Sequence, residues 1–298
     1  MRREKPMILS EFDYLAPKSL SEALNILDKA DNEPCLLAGG TDVMIHLKEE
    51  EIKPQQVINL KQIPELNFIK EENGYIKIGA MTTFSTIEKS NLIQDRAKAL
   101  AKACGEVGSP QIRNTGTVGG NIVNASPAAD SVPALMALDA KVVLANKEGE
   151  RELALDEFLC GINQTVIKPN EILTHIYFKT PKIDSISEFE KLGRRKALAI
   201  ARLSVGFYAE VEPENKVLQD VRISLGAVAK NPFRAVEAEE YLKGKKLNED
   251  VITETVEKIS EIAAVTLGNR SSAPFKRESI KGVAKKALIK AMDSADKI

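Results

Sequence analysis

The chain has 298 residues, with 42 Lys and Arg against 43 Asp and Glu, 43% hydrophobic and 5% aromatic residues. At roughly 150 residues per domain this length supports about two self-sufficient cores, and the near-neutral charge excludes a general nucleic-acid binder, which needs a basic excess to displace phosphate counterions. No run of about 18 apolar residues occurs, so no membrane insertion is expected and the chain reads as a cytoplasmic protein.

Ser19 and Glu22 stand at capping-box spacing before a predicted helix over 18–30 that keeps Leu20, Ala23, Leu24 and Leu27 on one face. Cys35 to Ala38 is a short apolar run stopped by Gly39-Gly40, which reads as a buried strand ending in a tight turn. Strands are predicted at 56–60 and 75–80, with Asn73-Gly74 as a hairpin turn before the second. Thr83 to Cys104 reads as helical. The passage from Gly105 to Asp130 holds Gly105, Gly108, Gly116, Gly119 and Gly120 with three asparagines, and reads as a long loop. Loops of that length inside compact domains are functional or disordered, and the apolar residues embedded in this one favour function. Asp130-Ser131 is then expected to cap a helix over 134–138, followed by a strand at 141–145. Further strands are predicted at 171–179, 203–212 and 221–228, and helices at 232–243, 249–267 and 279–292. The segment Asn269 to Arg277 reads as a break that caps the last helix at Ser279. These elements divide the chain into 1–175, with subdomains of about 1–60 and 61–175, and 176–298, an antiparallel sheet backed by helices.

The chemistry-bearing features are few. Cys35, Cys104 and Cys160 are too widely spaced for a disulfide frame or a metal-ligand cluster and are expected as buried thiols. The only histidines are His46 and His175, and no Ser or Cys has a nearby partner in sequence that would suggest a triad. No Gly-x-Gly-x-x-Gly and no Gly-x-x-x-x-Gly-Lys-Ser/Thr occurs, so neither a Rossmann unit nor a P-loop is supported. What stands out is two paired-glycine turns: Leu36-Leu37-Ala38-Gly39-Gly40-Thr41-Asp42-Val43, and Thr115-Gly116-Thr117-Val118-Gly119-Gly120-Asn121. Paired glycines free backbone N–H groups to point into one concavity and remove the Cβ that would block a pyrophosphate. Either turn alone reads first as a tight bend between buried strands; the two together shift the reading toward a dinucleotide site. A basic stretch from Lys191 to Arg202 reads as a solvated loop, of which one or two residues could face an anion.

These features resemble the FAD-binding medium subunit of the molybdenum hydroxylases, the xanthine dehydrogenase and carbon monoxide dehydrogenase family. The resemblance lies in Ala38-Gly39-Gly40-Thr41-Asp42 and in the run from Gln111 to Asn121, and extends over nearly the whole chain. It implies an α+β fold: a vanillyl-alcohol-oxidase (PCMH) type FAD-binding domain of two α+β subdomains, followed by an α/β C-terminal domain with an antiparallel sheet and helices. It also implies that Leu36 to Val43 and Thr117, Val118, Gly119, Gly120 and Asn121 wrap the FAD pyrophosphate with backbone amides. Asp130 would make a polar contact to the cofactor, and Val107, Leu173 and Lys191 fall at further FAD contacts. Leu198 and Ala199 stand where animal xanthine enzymes carry acidic residues, so the dehydrogenase-to-oxidase switching of those enzymes is not expected. The implied partners are a [2Fe–2S] iron–sulfur subunit and a molybdenum-pterin subunit that hydroxylates the substrate. NAD+ is the first-choice electron acceptor, and no side chain here is an expected catalytic acid or base. A xanthine dehydrogenase type is read first, with nicotinate, aldehyde or carbon monoxide dehydrogenase subunits as alternatives. A stand-alone FAD-dependent alcohol oxidase and a non-enzymatic scaffold are the readings of other classes.

Overall fold

The computed structural model describes residues 9–30, 32–195 and 198–298. The first layer is a three-stranded parallel sheet in the order Asp13–Leu15, Gln56–Asn59, Cys35–Leu37. The helix Leu20–Asp28 packs on it through Ala23 and Leu27, and Ser19 Oγ caps that helix by accepting Glu22 N–H at 3.2 Å. The second sheet is antiparallel, in the order Ile69–Glu72, Tyr75–Gly79, Ile172–Lys179, Lys141–Asn146, Gly149–Ala154. Its first hairpin turns at Asn73 (φ 52°) and Gly74 (φ 77°), the left-handed pair that matches the twist of two paired strands. The strand Ile172–Lys179 lies wholly within this sheet, running across the expected division at 175.

Between the second and fourth strands of that sheet the chain builds a set of short helices. The stretch expected as one helix over 83–104 is three: Phe84–Lys89, Asn91–Arg96 and Lys98–Gly105. Thr83 Oγ1 accepts Thr86 N–H and caps the first of them, Ser90 Oγ accepts Ile93 N–H and starts the second, and the third begins after Ala97, which gives no side-chain cap. The passage expected as a loop carries two more helices, Pro110–Thr115 and Val118–Asn124, before Ser131–Ala137. Asp130 gives that last helix no side-chain cap, because its carboxylate is engaged elsewhere.

A four-stranded antiparallel sheet, in the order Ser185–Leu192, Leu203–Glu212, Val217–Gly226, Phe233–Arg234, forms the C-terminal layer with the helices Val236–Leu242, Glu249–Leu267 and Ala273–Ala295 behind it. The last helix starts six residues before the expected Ser279 (279 − 273), taking in most of the segment read as a break. Pro274 lies in its first turn, where a missing N–H costs nothing. Cys104 is buried and Cys35 half-buried, whereas Cys160, expected to be buried, is exposed on the strand Leu159–Gly161.

The C-terminal sheet is tied to the helix Lys98–Gly105 by a buried carboxylate. Glu190, 3% exposed, meets Lys102, Lys286 and Lys290 at 2.5–2.6 Å. Burial works against its ionisation, but hydrogen bonds from the three ammonium groups outweigh it and hold the carboxyl at about 2. A folded-state value below the ordinary 4.5 adds stability that is complete above 4.5 and lost as pH falls through about 2. Glu190→Gln is expected to cost roughly 2 kcal/mol at pH 7, since it leaves three partly solvated cations without their anion. The gap between wild type and variant in urea melts should narrow from pH 5 to pH 2.5; a constant gap would mean the cluster is not ionic.

Candidate functional site

The strand Cys35–Leu37 feeds a turn in which Gly40 takes φ +76°, a conformation that favours glycine, before the helix Val43–Lys48 departs. Met44 N–H bonds Gly40 O, and Ile45 and His46 N–H bond Asp42 O. The N–H groups of Gly39, Gly40, Thr41 and Asp42 have no partner among the described residues. The second turn follows the helix Pro110–Thr115 and enters the helix Val118–Asn124 through Thr117.

The two turns touch. A Cβ on Gly39 would lie 2.4 Å from Thr115 O and 2.8 Å from Gly116 Cα, and one on Gly120 would lie 3.5 Å from Ala38 Cβ. Gly120 therefore meets the first turn only through the Ala38 side chain at an ordinary contact distance, while Gly39 serves a backbone-to-backbone approach. Gly119 is equally tight against a third segment, where a Cβ would meet Ala80 O at 2.7 Å.

The turns differ in what they can donate. In the second, Val118 N–H bonds Thr82 O (3.0 Å), Gly119 N–H bonds Ala80 O (2.9 Å), Gly120 N–H bonds Thr117 Oγ1 (3.1 Å) and Asn121 N–H bonds Thr117 O (3.0 Å). These four amides are spent inside the protein, while Thr117 N–H has no partner among the described residues. The turn also offers a side chain: Asn121 accepts Ser131 Oγ–H at 2.7 Å through Oδ1, and its Nδ2 has no partner among the described residues.

Together the turns wall a cavity of about 580 Å³. Leu36, Ala38, Gly39, Gly40, Thr41, Asp42 and Val43 form one side, and Thr117, Gly119, Gly120 and Asn121 the other. Asp130, Val107 and Leu173 also line it, as do Leu198 and Ala199. Three of the expected contacts do not: Leu37, Val118, which is fully buried in the core, and Lys191. Lys191 stands one step behind. Its side chain is 7% exposed, and Nζ donates to Asp130 Oδ2 (2.7 Å), Glu106 O (2.8 Å) and Ala199 O (3.2 Å). Local sequence reading did not single out Ser126, Ala128 and Ala129, which hold the stretch before Asp130 against the cavity, or Ile112 and Ile200 at its mouth. Arg113, inside the second signature, braces this wall by pairing with Glu88 (3.2 Å) and donating to Val107 O (3.3 Å).

Asp130 carries the electrostatics. It is buried, Oδ2 is held by Lys191, and Oδ1 is buried with no partner among the described residues. Burial pushes its carboxyl up to about 6, against the downward pull of the Lys191 charge and hydrogen bond. Among the residues lining the cavity only Asp42 and Asp130 carry an acidic side chain, and none carries a basic one. A larger concavity of about 790 Å³ lies on the outer face of the five-stranded sheet, lined by His175, Tyr75 and Tyr177. There Lys77 pairs with Glu72, and Lys141 with Glu152. Among the described residues no group of three His, Cys, Asp or Glu is placed to hold a metal ion, and no helix is long and apolar enough to cross a membrane.

Four free amides, a bend stripped of Cβ atoms and an orphaned buried carboxylate oxygen fit a ligand with a diphosphate at one end and hydrogen-bond donors at the other, as FAD has. The family described as the FAD binding domain in molybdopterin dehydrogenase matches residues 10–180, and the CO dehydrogenase flavoprotein C-terminal domain matches residues 188–291. The chain belongs to this family of FAD-binding subunits. It is 35% identical to the nicotinate dehydrogenase FAD-subunit of Eubacterium barkeri, over 97% of this chain and 98% of that one. It is 31% identical to the glyceraldehyde dehydrogenase medium chain of Sulfolobus acidocaldarius, over 93% and 97%. A solved structure of carbon monoxide dehydrogenase from Hydrogenophaga pseudoflava superposes with a TM-score of 0.89 at 29% identity, covering 97% of this chain and 99% of that chain. As a member of this molybdenum hydroxylase family the chain has the α+β fold that the signatures imply, is an oxidoreductase subunit and takes FAD as its cofactor.

Proposed function

We propose that this chain is the electron-transfer subunit of a multi-subunit molybdenum hydroxylase, working beside a [2Fe–2S] subunit and a molybdenum-pterin subunit. The observation that carries the reading is the shared cavity: N–H groups of 39–42 free for a diphosphate, Asn121 Nδ2 and Thr41 Oγ1 at its edge, and Asp130 Oδ1 waiting for a donor. Bound there, FAD supplies a redox centre that takes electrons singly from iron–sulfur clusters and releases them as a hydride. The protein's part is to bind and orient: the first turn grips the phosphates, Asp130 fixes a donor of the cofactor, and Lys191 holds Asp130 in place. The sparsity of titrating groups around the cavity supports a chain that tunes a cofactor and performs no acid–base chemistry of its own.

NAD+ remains the proposed acceptor and the xanthine type the first-read complex. The relatives act in complexes named for nicotinate, glyceraldehyde, carbon monoxide and xanthine at similar identities. That spread supports a subunit that carries electrons out whichever substrate the molybdenum partner selects. We infer the domain division between residues 180 and 184, where the chain leaves the five-stranded sheet and enters the C-terminal one.

The test is anaerobic bleaching of the flavin in the complex purified from its native source. Xanthine should bleach it, and NAD+ should restore it. Bleaching by nicotinate alone would move the complex to that type. Bleaching of the isolated chain by simple alcohols would overturn the electron-transfer reading altogether.

A further inference from the structure

The segment 269–277, read from sequence as a break, and the basic residue at the end of the stretch 191–202 come together in space. Arg202 lies with its guanidinium 4.6 Å from the centre of the Phe275 ring. Arg270 donates to Val228 O at 3.0 Å, and Lys276 donates to the neighbouring Ala227 O. Two cations therefore grip consecutive carbonyls of one short segment while a third stacks beside them. Burial and the charges of Arg270 and Arg202 hold the Lys276 ammonium below its ordinary range, with no carboxylate acting in the opposite sense. Among the described residues none of the three has an acidic partner within ion-pair distance, although Asp and Glu outnumber Lys and Arg over the chain. Three cations packed together without an anion repel one another, and a folded chain tolerates this most readily where a ligand supplies the missing charge.

The cluster sits beside the cofactor cavity. Ala227, whose carbonyl Lys276 holds, donates its own N–H to Pro127 O at 3.0 Å, and Pro127 is flanked by the cavity residues Ser126 and Ala128. Arg202 follows Ile200 by two residues (202 − 200), and 198–200 form the cavity's open edge, where Leu198 is 49% and Ile200 81% exposed. The donors left over suit a phosphate: Arg270 and Lys276 each spend one hydrogen bond on a carbonyl, and the Arg202 guanidinium makes none among the described residues.

We propose that Arg202, Arg270 and Lys276 bind the diphosphate of a nucleotide electron acceptor that approaches the cavity over residues 198–200. This rests on the electron-transfer reading above and names the side on which its acceptor docks.

The experiment is calorimetric titration of the FAD-saturated full chain with inorganic pyrophosphate and with ADP-ribose, at low and at moderate salt. Wild type should bind both, more weakly as salt rises. The double variant Arg270→Gln/Lys276→Gln should bind at least about tenfold more weakly, because each charge-assisted hydrogen bond contributes on the order of a decade of affinity. Lys276→Arg, which keeps the charge, should restore binding in the single-variant series and guards against a variant that fails to fold. In the assembled complex the double variant should raise KM for NAD+ while leaving turnover with an uncharged quinone as it was. Equal affinities in wild type and variant, no binding to flavin-loaded wild type, or equal losses with both acceptors would overturn the proposal. A wild-type chain that takes up no FAD would instead overturn the flavin reading, and pyrophosphate binding sensitive to positions 270 and 276 would still stand.

Discussion

Gly39→Ala is expected to leave the purified chain with less than about a tenth of its flavin. The added methyl would sit 2.4 Å from Thr115 O and 2.8 Å from Gly116 Cα, and both are backbone atoms that cannot swing aside. The turns must separate. Overpacking of this kind costs about 1–3 kcal/mol, and where the distortion falls on the wall of a binding cavity it appears as one to two decades of lost affinity. Gly119→Ala should act similarly, since its methyl meets Ala80 O at 2.7 Å and would disturb the Gly119 N–H bond to that oxygen. Gly282→Ala is the control: it lies within the helix Ala273–Ala295, has nothing within 4 Å of the new methyl, and should gain up to about 1 kcal/mol from helix propensity. The readout is flavin absorbance per chain with a thermal melt beside it. A stable Gly39→Ala chain with full flavin would mean that the contact between the turns does not shape the cavity.

Features set by neighbouring residues were legible in the sequence. Asn73-Gly74 and the helix Glu249–Leu267 lie where local pattern put them, because a left-handed turn pair and a 3.6-residue apolar repeat need no distant partner. The break at Ser90 is not legible in the sequence because a hydroxyl's choice between solvent and a backbone N–H is decided by packing. The start of the last helix at Ala273 is not legible because the run from Asn269 to Arg277 breaks the apolar repeat, although Pro274 in a first turn is compatible with a helix. The glycines and Thr41, Thr117 and Asn121 could be picked out from residue type alone. Which amides stay free could not, because Val118 and Gly119 donate to Thr82 and Ala80, residues of a distant segment. Lys191 came only from family resemblance; its bond to Asp130 spans 61 residues, and nothing in either local sequence announces it.

FAD affinity is expected to rise as pH climbs through about 6, and Asp130 is the reason. In the chain without cofactor, burial raises this carboxyl from its ordinary 3.8 to about 6 even though Lys191 opposes the shift. The folded chain then holds the proton more tightly than the unfolded one. Its stability is therefore highest below 3.8 and falls by about 3 kcal/mol by the time pH has passed 6. A cofactor N–H or O–H directed at the orphaned Oδ1 reverses the balance, because a donor favours the charged form and draws the carboxyl back down. Binding thus releases a proton at pH 5 and none at pH 7, which makes FAD about tenfold weaker at the lower pH. Asp130→Asn presents no ionisable group, so both the loss of apo stability with rising pH and the gain in affinity should vanish together. Quenching of FAD fluorescence between pH 5 and pH 8, run on both chains, separates the cases. A flat wild-type profile would mean that Oδ1 meets no donor, and that Asp130 serves only to anchor Lys191 beneath the edge formed by Ala199.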